Sequence, residues 1–236
     1  MGRAFEYRKA AKLKRWGNMA RVFTRVGKQI AIAVKAGGPD PDTNSHLRAI
    51  IANAKRENMP KDNIERAIKN AMGKDQKDYK EVTYEGYGPF GIAIFVDAAT
   101  DNTTRTVANV RSYFNKCGGS LVPTGSLEFM FSRKAVFELE LPEGMDVEEI
   151  ELELIDAGLE EIEATEEGVI ALSDWTAFGT MQTALEKLGI GVKKANLQRF
   201  PNSPVAFSAE DVEAIEKFLE KVEDDEDVQS VYTNME

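Results

Sequence analysis

Apolar residues recur every three or four positions in the first third of the chain, and that rhythm gives way to alternation further on. From Met19 onward Val22, Phe23, Val26, Ile30, Ala33 and Val34 share one helical face, and the pattern halts at AGGPDP, where Gly37 and Gly38 suit a C-terminal cap and Pro39 forbids continuation. Asn44 or Ser45 can cap a second helix through Leu47, Ile50, Ile51 and Ala54. After NMP, Ile64, Ala67, Ile68 and Ala71 mark a third that stops at Gly73. Beyond the polar stretch GKDQKDYK, GIAIFVDAAT reads as a buried strand and TRTVANVRSYFNKCGG as a helix with a glycine terminator. SLEFMFSRKAVFELELP reads as extended chain, alternating Leu127, Phe129 and Phe131 with polar neighbours.

From VFELEL to KKANLQRF the elements run β-α-β-β-α-β, a complete split βαβ unit. The helix SAEDVEAIEKFLEKVE and the strand VQSVYTN then remain without partners, while the preceding strand-helix-strand segment lacks a closing helix and strand. The fold expected is α+β: a basic helical domain over residues 1–80, followed by two ferredoxin-like α/β domains. The first of these is discontinuous, 81–134 plus 206–236, and the second, 135–205, is inserted in it.

Charge divides at the same place. Residues 1–80 hold 19 Lys and Arg against 8 Asp and Glu, a balance of +11, and residues 81–236 hold 11 against 32, a balance of −21, which sum to the net −10 of the 236-residue chain. Such a split speaks to partners rather than to fold. In the basic part Arg8, Lys12 and Arg15 fall at i, i+4 and i+7, as do Arg21, Arg25 and Lys28, so each set makes one helical stripe suited to phosphate, the second opposite the apolar face. Ten basic residues against the single Glu6 in the first 35 lack the acidic partners of an ordinary solvated face. The phosphate contacts expected are Arg3, Arg8, Lys9, Lys12, Lys14, Arg15, Arg21, Arg25 and Lys28. The acidic run EDDEDV at 223–228 reads as solvated surface or protein contact.

Few other residues carry chemistry. No GxGxxG, Walker A, CxxC pair or HExxH occurs, so no catalytic residue, metal or cofactor is expected, and the protein reads as a non-enzyme. His46 stands alone in the first turn of a helix, where a structural role is expected. Cys117, the single cysteine, permits no internal disulfide and suits a reducing compartment. EGYGPFG reads as a tight structural turn, and in DNTTRT Asn102 or Thr103 caps the following helix, leaving Arg105 to face a partner. No run of about 18 apolar residues exists, and the basic start lacks the apolar middle of a secretory signal. A cytoplasmic location and no membrane partner are expected.

Taken together, MGRAFEYRKAAKLKRWGNMARVFT, GGPDPDTN, NMPKDNIERAIK, YEGYGP, TDNTTRTVANVR and TGSLEFMF resemble the YebC/PmpR family, a bacterial group related to a mitochondrial translational activator of cytochrome c oxidase. The resemblance covers nearly the whole chain. It implies three domains and a DNA-binding regulator of transcription, or alternatively a ribosome-associated translation factor that binds ribosomal RNA. The acidic α/β part would then serve as a platform for ribosomal or transcription proteins.

Overall fold

The computed structural model describes residues 19–73, 77–142, 144–165 and 168–236. Three helices come first: α1 (Met19–Gly37), α2 (Ser45–Arg56) and α3 (Lys61–Ala71). Asn44 closes the start of α2, its side chain accepting from the Leu47 amide at 3.0 Å while its own amide group donates to the carbonyls of Ala33 and Gly38, both at 2.9 Å. One buried asparagine therefore satisfies an orphan N–H at the start of one helix and ties it to two carbonyls at the end of another.

The rest of the chain is mixed. In order it forms β1 (Lys80–Tyr87), β2 (Ala93–Thr100), α4 (Thr103–Lys116), β3 (Ser120–Val122), β4 (Phe131–Glu140), α5 (Val147–Ile155), β5 (Leu159–Thr165), β6 (Gly168–Asp174), α6 (Phe178–Lys187), β7 (Gly191–Pro201), α7 (Ala209–Glu223) and β8 (Val228–Thr233). Two four-stranded sheets result, ordered β3-β1-β2-β8 and β5-β6-β4-β7. Substituting β3, β1, β2 and β8 for β5, β6, β4 and β7 maps one sheet on the other, so the two share a spatial order and differ in where the chain enters. The first sheet begins with β1, the strand that corresponds to β6 and comes third in the second sheet. A short loop through the 3-10 turn Pro89–Gly91 suffices for this entry, because β1 and β2 are antiparallel neighbours, Lys80 opposite Thr100 and Tyr87 opposite Ala93. In that loop Phe90 takes a left-handed conformation at φ 57°.

The third strand of the first sheet differs from the sequence reading. Leu127, Phe129 and Phe131 do not alternate along one strand: Glu128–Met130 is a 3-10 turn, Phe131 opens β4, and Ser120–Val122 is the strand that joins β1. The cause is Glu85, 1% exposed, whose two carboxylate oxygens accept from the amides of Gly125 at 2.6 Å and Leu127 at 2.7 Å and curl the segment into a turn. Gly86 on β1 admits no side chain, since a Cβ there would meet the Phe114 ring and the Ser120 carbonyl, both at 2.6 Å.

Two compact units follow the sheets. Of the described residues, one takes in those up to Ile32, Gly73–Ser132 and Phe200–Glu236, and the other Ala33–Met72 and Arg133–Arg199. By contacts the helical segment is divided, Ala33–Met72 grouping with the second sheet. In the first unit, β2 is buried on both faces, which explains why Ala93–Val96 run apolar without alternation. Ile94 and Val96 meet Val110 and Phe114 of α4 and Ile215, Phe218, Leu219 and Val222 of α7, with the Phe114 and Phe218 rings edge to face at 5.1 Å. Phe95 on the other face meets Leu127 and Phe131. In the second unit Ala135, Phe137 and Leu139 of β4 pack with Ile150, Leu154, Met181 and Leu185, and Ala49 of α2 joins that core.

Since α7 and β8 complete the first sheet and its core, a chain ended after Phe207 is expected to lose exchange protection at the amides of β2, well upstream of the cut. Phe218→Ala should lower stability by about 3–5 kcal/mol in urea unfolding, the usual range for emptying a buried aromatic site.

Candidate nucleic-acid interface

Of the cations expected to meet phosphate, Arg3, Arg8, Lys9, Lys12, Lys14 and Arg15 lie outside the described residues. The stripe Arg21, Arg25 and Lys28 is described, and the structure gives it a different occupation. These side chains reach the acidic run at 223–227, where α7 ends and the chain turns into β8. Arg21 pairs with Asp224, Arg25 donates to the Glu223 carbonyl, and Lys28 donates to the Glu226 carbonyl and to Asp227 Oδ1, both at 2.7 Å. A helix C-terminus presents unpaired carbonyls and the negative end of the dipole, so cations stacked at i, i+4 and i+7 on α1 fit it without a phosphate.

Burial separates the three. Arg25 is 9% exposed and Lys28 7%, whereas the Arg21 and Asp224 side chains stay about half in water at 45% and 59%. Burial pushes the Arg25 guanidinium pKa down from its ordinary value, against the raising influence of Glu223. Arg25 and Lys28 are therefore withdrawn from the set of available phosphate contacts. At Arg25 and Lys28 the helix face opposite the apolar stripe is thus internal, while Arg21 stays at its solvent margin.

Asp227 is the centre of this arrangement, and it is 3% exposed rather than solvated as its acidic neighbourhood suggests. Its Oδ1 takes Lys28. Its Oδ2 takes Arg105 Nη2 at 2.7 Å, the Thr106 hydroxyl at 2.8 Å and the Thr100 hydroxyl at 3.2 Å. Burial alone would raise this carboxyl, but the hydrogen bonds from Lys28, Arg105 and Thr106 prevail and hold it down from 3.8 to about 2. Arg105 also reaches Asp101 at 2.9 Å, and the bond to Asp227 followed by that to Asp101 raises its pKa. Next to this group Asp225 accepts from Asn109 at 3.0 Å and from Tyr113 at 2.9 Å, and burial followed by that bond pushes the Tyr113 phenol up to about 12. The segment TDNTTRT is thereby accounted for: Asn102 caps α4 by accepting from the Arg105 amide, while Thr100, Arg105 and Thr106 clasp Asp227.

Cations free for an external anion lie elsewhere. On α2 and α3 the exposed Lys55, Arg56 and Lys69 show no ion pair among the described residues, and Lys61 and Arg66 beside them make only the local contacts Lys61–Glu65 and Arg66–Asn63. Sequence reasoning weighted the denser N-terminal stripes and passed over this group. Its signal was the spacing of Arg66 and Lys69, three apart on the polar face of α3. His46 sits exposed in the first turn of α2, and Cys117 is half-buried against the first unit's core. No group of three or more metal-ligating side chains converges among the described residues, and none of the described helices is long and apolar enough to cross a membrane.

Comparison with known proteins agrees along the whole chain. Residues 3–74 match the TACO1/YebC protein N-terminal domain, and residues 79–235 match the TACO1/YebC second and third domain. The chain belongs to the TACO1/YebC family. It is 65% identical over 236 residues to a probable transcriptional regulatory protein of Bacteroides fragilis, covering 100% of this chain and 96% of that one. A probable transcriptional regulatory protein of Porphyromonas gingivalis is 59% identical, with 100% and 97% covered. The crystal structure of a conserved hypothetical protein from Aquifex aeolicus superposes with a TM-score of 0.78 at 36% identity, covering 94% of this chain and 92% of that one. This TACO1/YebC chain thus shares both sequence and fold with its relatives over nearly full length.

Lys28→Met should destabilise the chain by about 3 kcal/mol in urea, because it leaves a buried carboxylate short of one partner, whereas Arg21→Ala should change it by under about 1 kcal/mol. Because folding depresses the Asp227 pKa, its contribution is complete above 3.8 and disappears as pH falls through about 2. The stability gap between the native chain and Asp227→Asn should accordingly be wide at neutral pH and narrow across that acid window, read from urea midpoints.

Proposed function

We propose that this protein is a non-enzymatic regulator of gene expression that binds nucleic acid, DNA in the first instance, through phosphate contacts in its basic N-terminal third. The observation that carries the reading is the cation excess of the first 80 residues, 19 against 8, which outlasts the internal pairing of Arg21, Arg25 and Lys28. The remaining contacts are Arg3, Arg8, Lys9, Lys12, Lys14 and Arg15, joined by Lys55, Arg56, Arg66 and Lys69. The names of the relatives, probable transcriptional regulatory proteins, support the regulatory role. At physiological salt charges are screened beyond roughly 8 Å, so an acidic remainder of the chain does not cancel a basic face. The acidic α/β part serves protein contacts in the cytoplasm.

Ribosomal RNA offers the same phosphate chemistry, and the relation of the family to a translational activator favours it as the second reading. Salt titration with duplex DNA and with a ribosomal RNA fragment tests both. Affinity should fall with salt at about −0.9 per phosphate contact on duplex, and replacing Lys55, Arg56 and Lys69 together by Ala should flatten the slope by about 2 to 3 with little change in sequence preference. Arg8, Lys12 and Arg15 replaced together should act likewise. Unchanged slopes for both triple variants would remove the assignment. Tighter binding to the RNA fragment, with ribosome co-sedimentation lost in the same variants, would select the translational reading.

A further inference from the structure

The edge of the first sheet is only half closed. All eight residues of β1 pair with β2, but on the other side β3 pairs with Glu85, Gly86 and Tyr87 alone. Among the described residues no strand lies beside Lys80–Tyr84 on that side. β3 stops here because Pro123 follows Val122 and cannot donate to a ladder. The chain beyond it is then carried into a turn by the two bonds from the Gly125 and Leu127 amides to Glu85. The result is a notch in the sheet, about five residues or about 17 Å long at the rise of a strand.

The notch is one wall of a groove of about 920 Å³. Val82, Thr83 and Tyr84 form that wall, β3 with Pro123 and Thr124 closes one end, and α4 forms the other wall with Thr103, Val107 and Arg111 at successive i+4 positions. A smaller recess adjoins it, sharing Arg111 and Asn115 and adding Lys116. Arg111 and Lys116 are both exposed, and neither has an ion pair among the described residues. Of the residues lining the two recesses, the single acid is Glu85, whose carboxylate is consumed by the two amides. Residues 81–236 carry 32 acids and 11 bases, so a lining whose one acid is already bonded and whose two cations have no ion pair among the described residues stands out from its surroundings.

We propose that this notch is a docking site for an extended, acidic peptide segment of a partner protein, which adds as a strand beside Lys80–Tyr84 and sets a carboxylate against Arg111. Two observations choose peptide over nucleic acid. The unpaired edge offers main-chain donors and acceptors at strand spacing, which another strand can satisfy in register and a phosphodiester chain cannot. The wall on α4 also sets one apolar side chain, Val107, a turn away from one cation, Arg111, and so offers both kinds of contact to the side chains of a strand. Partner specificity then comes from charge at Arg111 and Lys116, and affinity from the ladder.

The test uses the full chain and three fluorescein-labelled heptapeptides that alternate Val with Glu, Val with Gln and Val with Lys, together with a single-stranded oligonucleotide. The Val-Glu peptide should bind most tightly by anisotropy, and it should slow hydrogen exchange at the amides of Lys80–Tyr84. Arg111→Glu combined with Lys116→Glu should weaken that binding by about tenfold or more, as expected for losing charge-assisted contacts, while the thermal midpoint stays in place. Lys187→Glu, which reverses an exposed cation on α6 outside both recesses, should bind the peptide within about threefold of the native chain. Failure of the Val-Glu peptide to bind, binding with no protection at Lys80–Tyr84, equal affinity for the Val-Lys peptide, or protection of those amides by the oligonucleotide instead would each overturn the proposal.

Discussion

A single buried carboxylate holds three separate stretches of the first unit together. Asp227 joins α1 through Lys28, the β2–α4 corner through Thr100, Arg105 and Thr106, and its own turn between α7 and β8. Removing a charge from water is expensive unless its partners replace the lost hydration, and here four side chains do so. The arrangement fixes position more than it adds stability, because each partner must sit at hydrogen-bond distance for the buried charge to be tolerated. The placement of α1 and the corner before α4 both depend on it.

The same turn explains why cations and acids on this chain cannot be sorted by sign alone. Arg25 and Lys28 look like phosphate ligands on a helical wheel, and Glu223 to Asp227 look like a solvated tail. Each set is instead the partner of the other, combined with the carbonyls at the end of α7. Among the described residues, exposed cations without an ion pair include Lys55, Arg56 and Lys69 in one unit and Arg111 and Lys116 in the other. They are better placed to meet an external anion, since among the described residues no acid is paired with them.

The two sheets show how one spatial order arises from two chain routes. In the second unit the order β5-β6-β4-β7 follows from an uninterrupted β-α-β-β-α-β run. In the first the chain enters at β1, passes to its antiparallel neighbour by a short loop, and leaves for residues 133–199 before returning as α7 and β8. An edge strand as short as β3 leaves β1 half covered, and Lys80 and Glu81 at its exposed start are of the kind that keep such edges from aggregating.

Local rules determined much of this protein directly from sequence. Helix starts and stops at Asn44, Pro39, Asn102 and Gly73, the buried run of β2, and the shortage of partners for the last helix and strand were all legible, because caps, prolines and apolar period act within a few residues. Tertiary structure alone decided the rest. That Leu127 to Met130 turn rather than extend depends on Glu85, some 40 positions away, and that Lys28 is internal depends on Asp227, 199 positions away. Periodicity records which face of an element is apolar. It does not record which distant charge will meet a polar face, because that pairing is settled by the path of the whole chain and by the cost of leaving a buried ion without a partner.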